Sequence, residues 1–154
     1  MKFKALALAA GLGLVAAAPS VWIDSKNRVV RDSEDRQLLL HGVNVVYKVK
    51  PYMPDENTWS SQDSLTDSDI ADLKSWGFNF VRLGVMWEAV ETAPGVYDEA
   101  YLAKVDALIT KLGKAGIYTL VDAHQDAAAR VTCGEGIPDF YAKEIINHGT
   151  YCIG

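Results

Sequence analysis

The sequence predicts an α/β fold: about the first three βα units of a TIM (β/α)8 barrel, preceded by a short β-hairpin. Three observations carry this. Apolar, β-branched runs alternate with amphipathic helical patterns along the 154 residues, which is the pattern of right-handed βαβ units and a parallel sheet. Each candidate strand carries its polar residues late, near the carboxyl end, where such barrels place their functional groups. No Gly-x-Gly-x-x-Gly follows the first strand, which argues against a dinucleotide-binding sheet.

Residues 1–18 stand apart. Met1-Lys2-Phe3-Lys4 is a basic start, and Ala5 to Ala18 is an unbroken run of Ala, Leu, Gly and Val. This is the pattern of a secretory signal peptide, with an apolar stretch too short for a stable membrane span. An uncleaved anchor is the alternative. Cleavage after Ala17, Ala18 or Ser20 fits the pattern, and residues 19–154 are expected to form a partial barrel domain that is secreted or lies in the secretory-pathway lumen. The formal charge of −5 becomes −7 once Lys2 and Lys4 are gone. That balance disfavours nucleic acid or an anionic membrane as a partner.

Val21–Asp24 and Arg28–Arg31 read as short strands around the turn residues Ser25-Lys26-Asn27. After a polar turn, Gln37–Val46 reads as a longer strand. Val43, Val45 and Tyr47 share one of its faces, while Asn44, Val46 and Lys48 share the other. Residues 49–65 form a long loop rich in Pro, Asp, Asn and Ser. Its Tyr52, Met53 and Trp59 serve either as a binding wall or as anchors for the loop.

Thr66 and Asp69 form the two halves of a capping box and predict a helix with Ile70, Leu73 and Trp76 on its apolar side. Gly77 ends it. Phe78–Val85 is the next strand. Its Val81, Leu83 and Val85 face the helices, so Arg82 faces the interior, where an arginine needs an anionic partner. Residues 86–96 read as a loop carrying Trp87, Glu88 and Glu91. A helix over 98–115 follows, with Leu102, Val105, Leu108, Ile109 and Leu112 at helical spacing. Acidic residues at its start and Lys111 and Lys114 at its end complement the macrodipole.

The stretch from Ile117 to Asp126 concentrates the chemistry. Ile117–Val121 is apolar and β-branched, as a buried strand requires. Asp122, His124 and Asp126 then alternate with Ala123 and Gln125. Strand alternation puts Asp122 and His124 on one face, and Asp126 joins them if the extended geometry persists. Two carboxylates and an imidazole are costly to bury for packing alone. Both a functional strand end and a hydrogen-bonded cluster fixing a loop fit these residues. A short helix over 138–147 is expected behind Pro138.

Cys133 and Cys152 are the two cysteines. In a secreted chain such a pair can form a disulfide closing a loop of about 20 residues, with a stabilisation of roughly 3 kcal/mol in the chain-entropy model. There is no Cys-x-x-Cys, and His148 has no ligand neighbour at suitable spacing, so no metal site is expected.

Three segments together resemble glycoside hydrolase family 5. They are His41-Gly-Val-Asn-Val-Val-Tyr-Lys48, Gly77-Phe-Asn-Phe-Val-Arg-Leu-Gly-Val-Met-Trp87 and Asp122-Ala-His-Gln-Asp126. The variants Tyr47-Lys48, His124-Gln125-Asp126 and Cys133-Gly-Glu-Gly-Ile-Pro-Asp139 are most similar to its endoglycoceramidase and glucosylceramidase branch. The resemblance spans about residues 21–145. It implies a retaining glycosidase with two glutamates roughly 5 Å apart and no cofactor, acting on a carbohydrate or glycolipid. It makes Lys48, Asp122, His124 and Asp126 substrate-binding, and makes Arg82 the support of the nucleophile. Family acid/base and nucleophile glutamates lie after the fourth strand and at the end of the seventh. This sequence contains no Asn-Glu-Pro, so both catalytic residues are expected to be absent and the chain to be inactive by itself. A full barrel takes about 250 residues, and the mature part here has about 135. Glu88, Glu91 and Glu135 read as loop residues and not as catalysts. The alternatives are a cellulase-like β-glucanase specificity and a non-catalytic or vestigial carbohydrate-binding fragment.

Overall fold

The computed structural model describes residues 21–146. The chain divides between Leu39 and Leu40 into two compact units. In the first, β1 (Trp22–Asp24) pairs antiparallel with β2 (Val29–Arg31). Asp24 ties the turn by accepting from the backbone and side chain of Asn27, and Arg31 Nε completes the cluster at 3.0 Å. These bonds hold the Asp24 carboxyl down at about 2, with Asn27 the main cause.

The second unit is built on a three-stranded parallel sheet of β3 (Gly42–Val46), β4 (Phe80–Met86) and β7 (Tyr118–His124), in the order β3-β4-β7. Between β3 and β4 lie the long loop and α1 (Asp67–Ser75). Between β4 and β7 lie a single helical turn, α2 (Trp87–Val90), a small antiparallel pair, β5 (Glu91–Ala93) and β6 (Val96–Tyr97), and α3 (Glu99–Lys114). A 3-10 turn at Arg130–Thr132 and α4 (Asp139–Ile145) follow β7.

Local chemistry sets these boundaries. Thr66 caps α1 from its hydroxyl, and Asp69 returns the bond to the Thr66 backbone N–H at 2.8 Å, as the capping pattern requires. Asp98 caps α3 by accepting from Tyr101 N. The core lies between the sheet and the helices. Val81 and Leu83 of β4 are fully covered, as are Leu108 and Leu112 of α3. Ile70 and Leu73 of α1 and Val105 of α3 also belong to it.

Several elements depart from the sequence reading. The long strand expected from Gln37 begins only at Gly42. Leu38 N donates to Val30 O, and Gln37 bridges Arg31, so these backbone groups are engaged in the hairpin unit. Trp76 is two-thirds exposed and not on the core face, because α1 has already ended at Ser75. Its ring instead meets Phe78 edge-on. Residues 87–97 are not a simple loop. Glu91 organises them from a buried position by accepting from Gly95 N, Trp87 Nε1 and Tyr141 Oη at 2.7–2.8 Å. These donors, Gly95 first, hold its carboxyl below the usual range. The strand expected over 117–122 continues to His124.

The sheet's two faces are not covered alike. Leu120, on the face opposite the helices, is half exposed. Val121 points to the helix side yet is also half exposed, so the helical layer leaves this part of β7 partly uncovered. Among the described residues β3 and β7 each pair with one strand only. Cys133 is disulfide-bonded; its expected partner, Cys152, lies outside the described residues, as does the signal segment.

Leu108 is fully buried between α3 and the sheet. Leu108→Ala is expected to lower unfolding stability by about 2–5 kcal/mol, read from urea denaturation of the full chain. A loss below about 1 kcal/mol would mean that the α3–sheet core is not packed as described.

Candidate functional site

The parallel register brings the polar residues to one end of one face. Asn44, Arg82 and Leu120 lie in one row across the three strands, and Val46, Gly84 and Asp122 in the next. Arg82 and Asp122 are therefore diagonal neighbours. The guanidinium runs toward the carboxyl end of β4, past Gly84, and reaches Asp122 Oδ2 at 2.7 Å. Gly84 has no side chain to obstruct it. A Cβ there would come within 2.8 Å of Val46 Cγ1, so that position is already filled from β3.

Asp122 Oδ2 also bonds His124 Nδ1 at 2.8 Å. An ionised carboxylate only accepts, so Nδ1 carries a proton and donates it to Asp122. His124 is buried, and Nε2 makes no hydrogen bond among the described residues; it lies 3.4 Å from Asp126 Oδ2. Asp126 in turn pairs with Lys48, whose ammonium also lies 2.8 Å from Glu135 Oε1. Arg82, Asp122, His124, Asp126, Lys48 and Glu135 thus form one continuous chain of charged and polar groups.

Glu135 was not among the site residues read from the sequence. It reaches Lys48 because residues 134–136 fold back on the end of β7. Asp126 and Glu135 exchange backbone hydrogen bonds at 2.9 and 3.1 Å. A Cβ on Gly134 would come within 1.9 Å of Asp126 O, and one on Gly136, at φ +114°, within 2.4 Å of His124 O. Only glycine on both sides permits this approach. The Gly-Glu-Gly spacing was the available signal.

The structure brings together all five residues the sequence singled out, Lys48, Arg82, Asp122, His124 and Asp126, and Arg82 points away from the helices as expected. The loop aromatics do not wall this group. Met53 is a buried anchor, and Trp59 lines a separate groove of about 320 Å³ with Trp76 and Val43. Glu88 and Glu91 lie off the chain of polar groups, each held by its own set of donors.

His124, Asp126 and Glu135 offer ligand atoms within 4.8 Å of one another. The Lys48 ammonium between the two carboxylates already supplies positive charge there, so a divalent ion would have to displace it. The set therefore fits hydrogen-bonding recognition of a neutral polyol better than metal binding, with a cation and carboxylates side by side as donor and acceptors.

A polar cluster at the carboxyl ends of parallel strands, on the face away from the helices, is the arrangement of the (β/α)8 barrel fold. The chain matches the family described as cellulase, glycosyl hydrolase family 5, over residues 35–148, and it belongs to that family. It is 36% identical over 118 residues to an endoglycoceramidase from Cyanea nozakii, covering 77% of this chain and 23% of the relative. With endoglycoceramidase I from Rhodococcus hoagii it shares 36% identity over 124 residues, 80% of this chain and 24% of the relative. Among solved structures, endo-glycoceramidase II from Rhodococcus sp. in an iminocyclitol complex superposes with a TM-score of 0.55 at 30% identity, over 71% of this chain and 25% of that one. An endogalactoceramidase superposes with a TM-score of 0.62 at 27% identity, over 79% and 30%. The chain thus spans about a quarter of the length of the curated relatives it matches.

The Lys48–Asp126 pair has a definite pH window. The Lys48 hydrogen bond holds the Asp126 carboxyl below its ordinary 3.8. Asp126 and then Glu135 raise the Lys48 ammonium above its ordinary 10.5. A depressed carboxyl contributes fully above 3.8, and its contribution is lost as pH falls through the lower folded value. A raised ammonium contributes fully below 10.5, and its contribution is lost as pH climbs through the higher folded value. NMR titration of the Asp126 carboxyl carbon and Lys48 Nζ is expected to show both midpoints outside the interval from 3.8 to 10.5. A midpoint inside it would mean that the pair is not formed.

Proposed function

We propose that this chain carries the sugar-recognition part of a retaining β-glycosidase that acts on the glucosyl linkage of glycosphingolipids. The observation that carries the reading is the linked group Lys48–Asp126–His124–Asp122–Arg82 at the carboxyl ends of adjacent parallel strands. His124 gives it direction: its ring is held by Asp122 through Nδ1, and its buried Nε2 lies 3.4 Å from Asp126 Oδ2, so the imidazole backs the carboxylate that meets the sugar. Lys48 and Asp126 then donate to and accept from a neighbouring hydroxyl. Arg82, with Asp122 as its anionic partner, holds positive charge where a nucleophilic carboxylate must stay ionised.

The retaining reaction needs a general acid and a nucleophile about 5 Å apart. No residue of this chain takes either role in the reading. Glu88 is neutralised by Arg130, Glu91 is fully engaged by its three donors, and Glu135 is paired with Lys48. The chemistry calls for no metal or organic cofactor. Support for the glycolipid substrate comes from relatives named endoglycoceramidase and glucosylceramidase, and from a ganglioside complex of the Rhodococcus endo-glycoceramidase II. Residues 19–154 form the partial barrel domain in this reading, and residues 1–18 direct the chain to the secretory pathway. No helix among the described residues is long and apolar enough to cross a membrane.

The test has two parts. The purified chain is expected not to hydrolyse a fluorogenic β-glucoside or glucosylceramide, and robust hydrolysis would overturn the assignment of catalysis elsewhere. Lactose, the soluble head-group disaccharide, is expected to perturb the NMR signals of Lys48, His124 and Asp126 at millimolar concentration. No perturbation at these residues would overturn the recognition reading, and stronger binding of cellobiose would replace the glycolipid substrate with a β-glucan.

A further inference from the structure

We propose that Glu88 and Arg130 form a positioning strap that sets where Lys48 and its two carboxylate partners stand, and so tunes the affinity of the sugar site. The inference rests on the reading of Lys48 and Asp126 as sugar contacts.

The strap converges on one carboxylate. Glu88 sits on α2, the turn that continues directly from β4, so its backbone is carried by the sheet. Its side chain is nearly buried. Oε1 accepts from Arg130 Nη2 at 2.9 Å and from Gly136 N at 3.0 Å. Oε2 accepts from Arg130 Nε and Tyr52 Oη, both at 3.2 Å. The Glu88 backbone N–H donates to Gly136 O at 2.7 Å. Arg130 Nη2 reaches onward and donates to the Lys48 carbonyl. One side chain therefore fixes three irregular segments: the chain leaving β3 at Lys48–Tyr52, the turn at Arg130, and the loop at Gly136.

These are the segments that carry the Lys48 triangle. Lys48 begins the irregular stretch after β3, and its long side chain loses considerable rotamer entropy when held in one geometry. Fixing its carbonyl fixes the base from which the ammonium reaches Asp126 and Glu135. Holding Gly136 next to Glu135 fixes the opposite side. A charge-assisted, forked guanidinium–carboxylate contact supplies direction that a single point charge does not. Burial strengthens it, because few waters compete for the Glu88 oxygens. Nothing in this arrangement places Glu88 or Arg130 on the reacting atoms; they act through Lys48.

The experiment uses the full chain with Arg130→Met, Arg130→Lys, Glu88→Gln and Lys48→Met, with lactose as the probe. Two quantities are read: the lactose Kd, and the solvent exchange of the Lys48 ammonium protons by nitrogen-15 NMR. Arg130→Met is expected to raise Kd about tenfold and to speed Lys48 exchange, with part of both effects recovered in Arg130→Lys. A cooperatively melting Arg130→Met with unchanged Kd and unchanged Lys48 exchange would overturn the proposal. Should Arg130→Met fail to fold, Glu88→Gln gives the same reading, since it keeps the shape and weakens the fork. Lys48→Met separates the two claims. If it binds lactose like the parent, the recognition reading fails, while the strap is still judged by Lys48 exchange in the Arg130 variants.

Discussion

A guanidinium on the open face of a three-stranded sheet must find an anion, and the rest of this site follows from where it finds one. Arg82 emerges from the middle of β4 between two fully buried neighbours, Val81 and Leu83. Strand alternation leaves it only the face away from the helices. The register of β4 with β7 then offers Asp122 one step further along, beyond Gly84. The ion pair orients Asp122, and Asp122 orients His124 through Nδ1, which leaves Nε2 facing Asp126. Without Arg82, Asp122 would keep a single partner and the imidazole would lose its fixed direction.

The parts that were legible in the sequence are those that local rules decide. The Thr66–Asp69 cap, the 3.6-residue spacing of α3 and the alternation of β4 each depend on residues close in the chain. Strand parity by itself put Arg82, Asp122 and His124 on one face. The parts that were not legible depend on long-range geometry. Residues 37–41 have strand composition, but Gln37 and Leu38 pair with the hairpin and His41 with Asn79. Trp76 has the right spacing for the core, yet α1 ends one residue too early. Glu135 was discounted because it lies in a loop, and only the fold-back permitted by Gly134 and Gly136 brings it to Lys48. Glu88 gave no local sign at all, since its partners are 36 to 48 residues away.

In the proposed reading, recognition and bond cleavage are separated along the chain. The groups gathered here are cations, anions and an imidazole suited to hydroxyls, and every acidic side chain among them has a partner that keeps it from acting as a free acid or nucleophile. The recognition reading therefore depends on these groups behaving as one coupled unit and not as separate surface charges, since exposed ion pairs contribute little individually.

A double-mutant cycle between Arg82 and Asp122 tests that coupling most directly. Arg82→Met, Asp122→Ala and the double variant would be compared by urea denaturation of the full chain. Coupling is predicted at about 0.5–3 kcal/mol, the range for residues in one hydrogen-bonded network. Additivity within about 0.3 kcal/mol would contradict it, and would show that the strand-end residues are neighbours without being a site.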